Sequence, residues 1–247
     1  MTTRQRRRFM DTRSMNIITP TATITTSPVE KLLGAYIHED MKWTERIMTN
    51  DDSLIKSLNK RQAAIKKISL SASFKARKNL ANGIFMSKLI YLMPLWAGCE
   101  NNLIAALQVI QNKVARSVTR KNRFTPTKTL MKECGWLTVK QLMMYHSLVQ
   151  LHKTIQSKKP EYLHNRITKE LNQLEKRSNY YYKTRQYTSG ALRQIPELEA
   201  KLDISQRSWC WRATSVYYSL PLSIQGQPKL NTFKSKLRTW VKETVEG

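Results

Sequence analysis

The sequence predicts a mainly α fold with a small β element near the N-terminus, and three observations carry that expectation. Apolar residues recur at helical spacing almost continuously from Ser53 onward, whereas an alternating strand pattern is confined to the region before residue 40. Start and stop signals punctuate the helical stretches: Ser73, Thr125-Pro126, Gly135 and Thr138. At 247 residues with 40% apolar side chains, including six Trp and ten Tyr, the chain is long and apolar enough to bury a core.

Residues 1 to 29 open with Arg4-Gln5-Arg6-Arg7-Arg8 and continue through the Thr-rich run Thr21 to Thr26, which reads as disordered or as a strand without its partners. The run Arg4 to Arg8 fits a nuclear localisation signal or a nonspecific contact. Leu32 to Ile37, broken by Gly34 and followed by His38-Glu39-Asp40 and Trp43, reads as a strand and turn. From Ser53 the period becomes helical. Leu54, Leu58, Ile65 and Ile68 share one face, and Lys56, Lys60 and Lys67 cluster opposite. Ser73 caps a second helix running toward Met93; with Leu80, Ile84, Phe85, Leu89, Tyr91 and Leu92 spread around it, this is the helix expected to be buried.

A third helix, from about Asn102 to Thr119, carries Leu103, Leu107, Ile110 and Val114 as a stripe, with Lys113, Arg116 and Arg120 on another side. Thr125 as N-cap and Pro126 as first helical residue start a short helix that Gly135 ends. Thr138 starts the next, with Val139, Leu142, Met143, His146 and Val149 inward and an end near Lys158-Lys159-Pro160. Beyond Pro160 the pattern weakens: Tyr180-Tyr181-Tyr182 and the stretch from Thr184 to Gly190 read as a loop or hairpin. Trp209 to Tyr218 and Thr232 to Val245 read as two closing helices. The resulting divisions are 1–29, a 30–50 connector, a helical region at 51–175 and a C-terminal region at 176–247.

Charge is the compositional signature. The formal net charge is +26, from 43 basic against 17 acidic residues. Between Asp52 and Glu133 there are sixteen Lys or Arg and one acid, Glu100. An ordinary solvated surface mixes both signs, so a basic folded region implies a polyanionic partner. Three widely spaced cysteines, Cys99, Cys134 and Cys210, form no CxxC pair and suggest neither a disulfide framework nor zinc. The longest apolar run, Leu89 to Gly98, is ten residues with Pro94 inside it, short of the roughly 20 that span a bilayer. No membrane partner is expected, and the location expected is intracellular, nuclear or cytoplasmic, in a reducing compartment.

Catalytic candidates are few. Two-metal nucleotidyl transfer needs converging carboxylates. Neighbouring acids do not face one another, so neither Glu39-Asp40 nor Asp51-Asp52 makes a metal clamp alone. Asp51-Asp52 reads as favourable charge ahead of a helix N-terminus, and Glu39-Asp40 as a solvated turn. His146 reads as a packed histidine on an apolar face, while His38, His152 and His164 read as solvated. The cysteines read as buried structural thiols. With seven glycines and no phosphate-cradling loop, nucleotide hydrolysis has no support. No cofactor, metal or catalytic residue is expected. Trp43, Trp96 and Trp136 are expected to pack beside helices. Tyr180 to Tyr182, interleaved with Arg177, Lys183 and Arg185, are a better base-stacking candidate than the tryptophans, although core or loop packing is the reading favoured for them.

A set of short segments, in order, resembles a known protein region. They are Lys31-Leu32-Leu33-Gly34 with Trp43 nine residues after the Gly, Ser73-Phe74-Lys75, Asn82 to Tyr91, Leu107 to Lys113, Cys134-Gly135-Trp136-Leu137, Thr184-Arg185-Gln186, Ser219-Leu220-Pro221 and Phe233-Lys234 to Trp240. Together they are similar to the C-terminal third of reverse transcriptases from non-LTR retrotransposons. The resemblance implies that the Leu-Gly segment follows a polymerase palm and that the helices after it form a thumb-like bundle closing on template and primer backbone. No Tyr-x-Asp-Asp motif occurs, so polymerisation by this chain is not expected.

The expectation is a non-catalytic, retroelement-derived thumb that grips RNA or an RNA-DNA hybrid. Its contacts would be Lys56, Lys60, Lys67, Lys113, Arg116 and Arg120, with Lys183 and Arg185 beside the tyrosines. Two other readings stand beside it: a fragment of an active RNA-directed DNA polymerase whose palm is encoded upstream, and a helical protein-interaction module made to meet that palm.

Overall fold

The structure, a computed structural model, describes residues 29–38, 42–175 and 209–244, and the backbone alone for 17–18, 23–24 and 176–184. The fold is mainly α, with strands paired only near the N-terminus among the described residues. Strands β1 (Ile17–Ile18) and β2 (Thr23–Ile24) pair antiparallel, as do β3 (Val29–Leu32) and β4 (Ala35–His38). The β3–β4 turn is Leu33-Gly34, with φ of 50° and 72°. Two successive positive φ values match the right-handed twist of the strands, and Gly34 occupies the second position without steric cost. The segment read as one strand and a turn is therefore a hairpin.

A π-helical stretch, Glu45–Thr49, leads to α1 (Leu54–Ile68). Next, α2 (Phe74–Leu80), π-helical turns at Ala81–Met86 and α3 (Ser87–Ile90) follow one another without a break. Ser73 caps this run as expected, its hydroxyl accepting from the Ala76 N–H. The run ends at Ile90 instead of Met93, because Leu92 turns into the left-handed region at φ 55° ahead of α4 (Met93–Trp96). It is also less buried than its composition suggests. Ala81, Phe85 and Leu89 are buried, while Phe74 and Tyr91 are exposed. Helices α5 (Asn101–Thr119), α6 (Thr127–Cys134) and α7 (Val139–Ser157) come next. Pro126 occupies the cap position of α6, so that helix starts one residue later than expected, and Gly135 ends it at φ 66°. Thr138 and Gln141 form a reciprocal capping box on α7.

Helix α8 runs Glu161–Thr184, which corrects the loop-or-hairpin reading of Tyr180 to Tyr182. The missed signal is a thin stripe, Leu163, Ile167, Leu171 and Leu174, at the i, i+4, i+8, i+11 spacing that a charged exposed face obscures. Closing the chain are α9 (Trp209–Ser219), α10 (Leu222–Gln225) and α11 (Leu230–Thr244). Among the described residues no helix is long and apolar enough to cross a membrane.

Two buried clusters share α7. The first joins Leu54, Leu58 and Ile65 of α1 to Phe85, Leu89 and Trp96, to Leu107 and Val114 of α5, and to Val139 at the start of α7. Ile68, expected on that face, is 45% exposed because α1 ends there. The second cluster takes Leu148 and Leu151 from the far end of α7, with Ile167, Tyr217, Phe233, Leu237 and Val241. Each large apolar side chain so buried contributes about 1.5–3 kcal/mol. All three tryptophans read as packing residues are buried, as are the three thiols. His152 overturns its solvated reading. It is fully buried between α9 and α11, because α7 turns its final two turns into the second cluster.

Candidate nucleic-acid interface

On α1 the predicted lysines Lys56, Lys60 and Lys67 are exposed and lie within about 40° of one another around the helix, opposite the buried Leu54, Leu58 and Ile65. Lys56 is paired with Asp51, Nζ to Oδ1 3.0 Å. Lys67, with Lys66, occupies the last turn, where a cation also complements the helix dipole.

The tertiary structure adds cations to Lys60 that helical spacing did not indicate. Beside it, Ser57, Arg61 and Ala64 of α1 and Ile84 of the π-helical turns line a shallow groove. Lys88 stands one helical turn beyond Ile84 on the same face. At the other side of Lys88, its ammonium lies 6.0 Å from the Tyr91 ring. The Tyr91 carbonyl accepts from Arg46 Nη2 at 3.3 Å, and the Tyr91 hydroxyl donates to the Leu33 carbonyl at 2.9 Å. Arg46 Nη1 donates to the Gly34 carbonyl at 3.0 Å, which clamps the hairpin turn against the end of α3. Lys31 of the same hairpin reaches Asp52, Nζ to Oδ2 3.0 Å.

Lys31, Lys60 and Lys88 thus bear on the Asp52 carboxylate from the hairpin, α1 and α3, and Arg46 and Arg61 add their charges beside Lys88. Their mutual field is visible in the protonation equilibria. The hydrogen bond and charge of Lys31 hold the Asp52 carboxyl below its ordinary value, and Lys60 and Lys88 add to this. Burial lowers the Lys88 ammonium pKa, and the Arg46 and Arg61 charges lower it further. A site that resists its own cations in this way favours an arriving anion.

On α5, which packs against α1, Lys113 is exposed and Arg116 half-buried. Arg120 is engaged locally, its Nη2 donating to the Ser69 and Leu70 carbonyls at 3.0 and 2.8 Å. Next to it, buried Arg77 donates to Val118 and Ala72 carbonyls at 2.7 and 2.6 Å. The two arginines close the α1–α2 loop by satisfying carbonyls that a helix end leaves without partners. The side chain of Lys183, and Arg185 altogether, lie outside the described residues, as do Glu39-Asp40 and Arg4 to Arg8.

Sequence reasoning missed Lys31, Arg46, Arg61 and Lys88. Nothing periodic links positions 31, 46, 61 and 88, although Lys31 and Lys88 belong to two of the segments that carry the retroelement resemblance. The acids fall where a helix-terminal role places them: Asp51 and Asp52 precede Ser53 at the start of α1, each holding a lysine. Among the described residues no group of three His, Cys, Asp or Glu side chains is arranged to hold a metal ion. The thiols are buried, and Cys210 lies against the Glu170 carboxylate, whose charge and hydrogen bond add to burial in holding that thiol protonated. Desolvation pushes Cys99 and Cys210 up to about 12 and Cys134 up to about 11. The chain matches no protein-family model, no curated protein and no solved structure.

Proposed function

We propose that this chain is a non-catalytic nucleic-acid-gripping module, a thumb-like remnant of a retroelement reverse transcriptase that holds the backbone of RNA or an RNA-DNA hybrid. The observation that carries the reading is the gathering of Lys31, Lys60 and Lys88 about the Asp52 carboxylate, with Arg46 and Arg61 beside Lys88, continued along α1 by Lys56 and Lys67. Phosphates neutralised there release counterions, a driving force that depends on charge and not on base sequence. The retroelement origin rests on the ordered segments of the sequence, and the backbone grip on the charge.

The test is fluorescence anisotropy of a labelled RNA-DNA hybrid and of heparin across a salt series. Binding that weakens steeply with salt, by about 0.9 in log-log slope per contacted duplex phosphate, is the expected result. A flat response overturns the reading. Primer extension on the same hybrid is expected to yield no product, and extension would move the chain to the polymerase reading.

A second reading, docking against a polymerase palm, draws on the hairpin end. Leu32 is 59% and Leu33 75% exposed, beside exposed Tyr91. Self-association or palm binding that salt does not disrupt supports it.

A further inference from the structure

Near the groove beside α1, Asp52 forms an ion pair with Lys31, and its carboxylate also feels Lys60 of the groove wall and Lys88. The groove walls are Ser57, Lys60, Arg61, Ala64 and Ile84: a hydroxyl and two cations over a small side chain, with an apolar flank. Beyond Ile84 the Lys88 ammonium continues the positive wall. At the N-terminal end of α1, Asp52 holds Lys31 at 3.0 Å, and its side chain is 72% exposed.

We infer that this junction is a seat for one phosphate group of a nucleic-acid backbone, and that the Asp52 carboxylate holds the phosphate's place in the free protein. The inference rests on the nucleic-acid-binding reading above and deepens it by naming where a phosphate is held and what competes for it. A carboxylate and a phosphodiester present the same kind of acceptor, a pair of oxygens sharing negative charge, to the same ammonium and guanidinium donors. An exposed ion pair is held weakly, so an incoming phosphate displaces Asp52 at small cost.

Donor capacity at the junction exceeds what the protein itself uses. Arg61 Nε and Arg46 Nε are both buried without a partner, and Arg46 as a whole is only 5% exposed. Unpaired donors of this kind are uncommon in a finished protein interior and mark places where an acceptor is absent. Asp52 pairs with Lys31 and acts on Lys60 and Lys88, while Arg46 and Arg61 add their charges beside Lys88, so the positive field at the junction exceeds what that carboxylate balances. The competing account gives Asp52 a fastening role only, tying the hairpin to α1 through Lys31.

The experiment compares Asp52→Asn, Lys31→Gln, Lys88→Gln and the double Lys31→Gln/Asp52→Asn with the parent chain, using anisotropy of the labelled RNA-DNA hybrid across a salt series. Circular dichroism melts report folding, and Asp52→Ser replaces D52N if D52N melts early. In the phosphate-seat account, D52N binds about threefold to tenfold tighter at low salt, with the parent's log-log slope retained because Lys31 meets a phosphate in both complexes. K88Q weakens binding and flattens the slope, and the gain from D52N is absent in the double variant. Folded D52N with unchanged or weaker affinity, while the parent chain keeps its steep salt dependence, overturns the seat and leaves the binding reading standing. A flat salt response from the parent chain removes both.

Discussion

The imidazole of His152 lies flat on the ring of Phe233, centroids 3.7 Å apart and planes 4° from parallel, with Nδ1 3.1 Å from the Tyr217 hydroxyl. Three helices, α7, α9 and α11, are joined through that stack, and the imidazole must remain neutral to stay there. Burial holds the His152 pKa below the ordinary 6.5, partly offset by the Gln227 backbone. His146 is lowered too, first by burial and then by Lys234 and Arg238.

The sign of the pH dependence follows. In the unfolded chain both histidines take up a proton near 6.5, whereas the folded chain resists until a lower pH. Their contribution to stability is complete above 6.5 and is lost as pH falls through the lower folded values. Thermal melts are expected to be level at and above about pH 7 and to drop toward about pH 5, with a shallower drop in His152→Leu.

Arg77 stabilises the α1–α2 loop through the Val118 and Ala72 carbonyls, at 6% exposure. Arg77→Ala removes both donors and the packed stem, and is expected to cost about 2–4 kcal/mol in urea or thermal unfolding. Lys restores only part of this, since one ammonium does not reproduce two guanidinium bonds set at fixed angles.

The α6–α7 corner depends on two local devices. Thr138→Ala breaks the capping box and is expected to cost about 1 kcal/mol. Gly135→Ala costs about 1 kcal/mol as well, from the positive φ of 66°; the added Cβ meets only the Lys78 Nζ, at 3.5 Å. Chemical unfolding of the two single variants and of the double measures both costs and their additivity.

The three thiols offer a probe of intactness. Buried and pushed up to about 11 or 12, Cys99, Cys134 and Cys210 carry almost no thiolate at neutral pH. A thiol-specific chromogenic reagent is expected to label none of them in the folded chain and all of them in denaturant. Rapid labelling under native conditions would show that the helices open locally.

Leu54, Leu58 and Ile65, the Leu103 to Val114 stripe, the Ser73 and Thr138 caps and the Gly135 stop were all legible in the sequence, because helical periodicity and capping are local chemistry. So was the segregation of Lys56, Lys60 and Lys67 from the apolar face, which needs only a helical wheel. The course of α8 through Tyr180 to Tyr182 was not legible, since its apolar stripe is one residue wide and its propensity was outweighed by polar neighbours. The burial of His152 was not legible either, because it depends on α9 and α11 arriving from more than fifty residues away.

The amino-acid order by itself determined a helical chain with an excess of positive charge carried on the outer faces of its helices. Only the tertiary structure decided which of those charges stand together: Lys31, Arg46, Arg61 and Lys88 join Lys60, while Arg120, itself exposed, is tied to the Ser69 and Leu70 carbonyls. The physical reason is range. Helix formation and capping act across three or four neighbouring residues, whereas electrostatic focusing depends on distances through space that the hairpin clamp of Arg46 and the packing of α1 against α3 and α5 set.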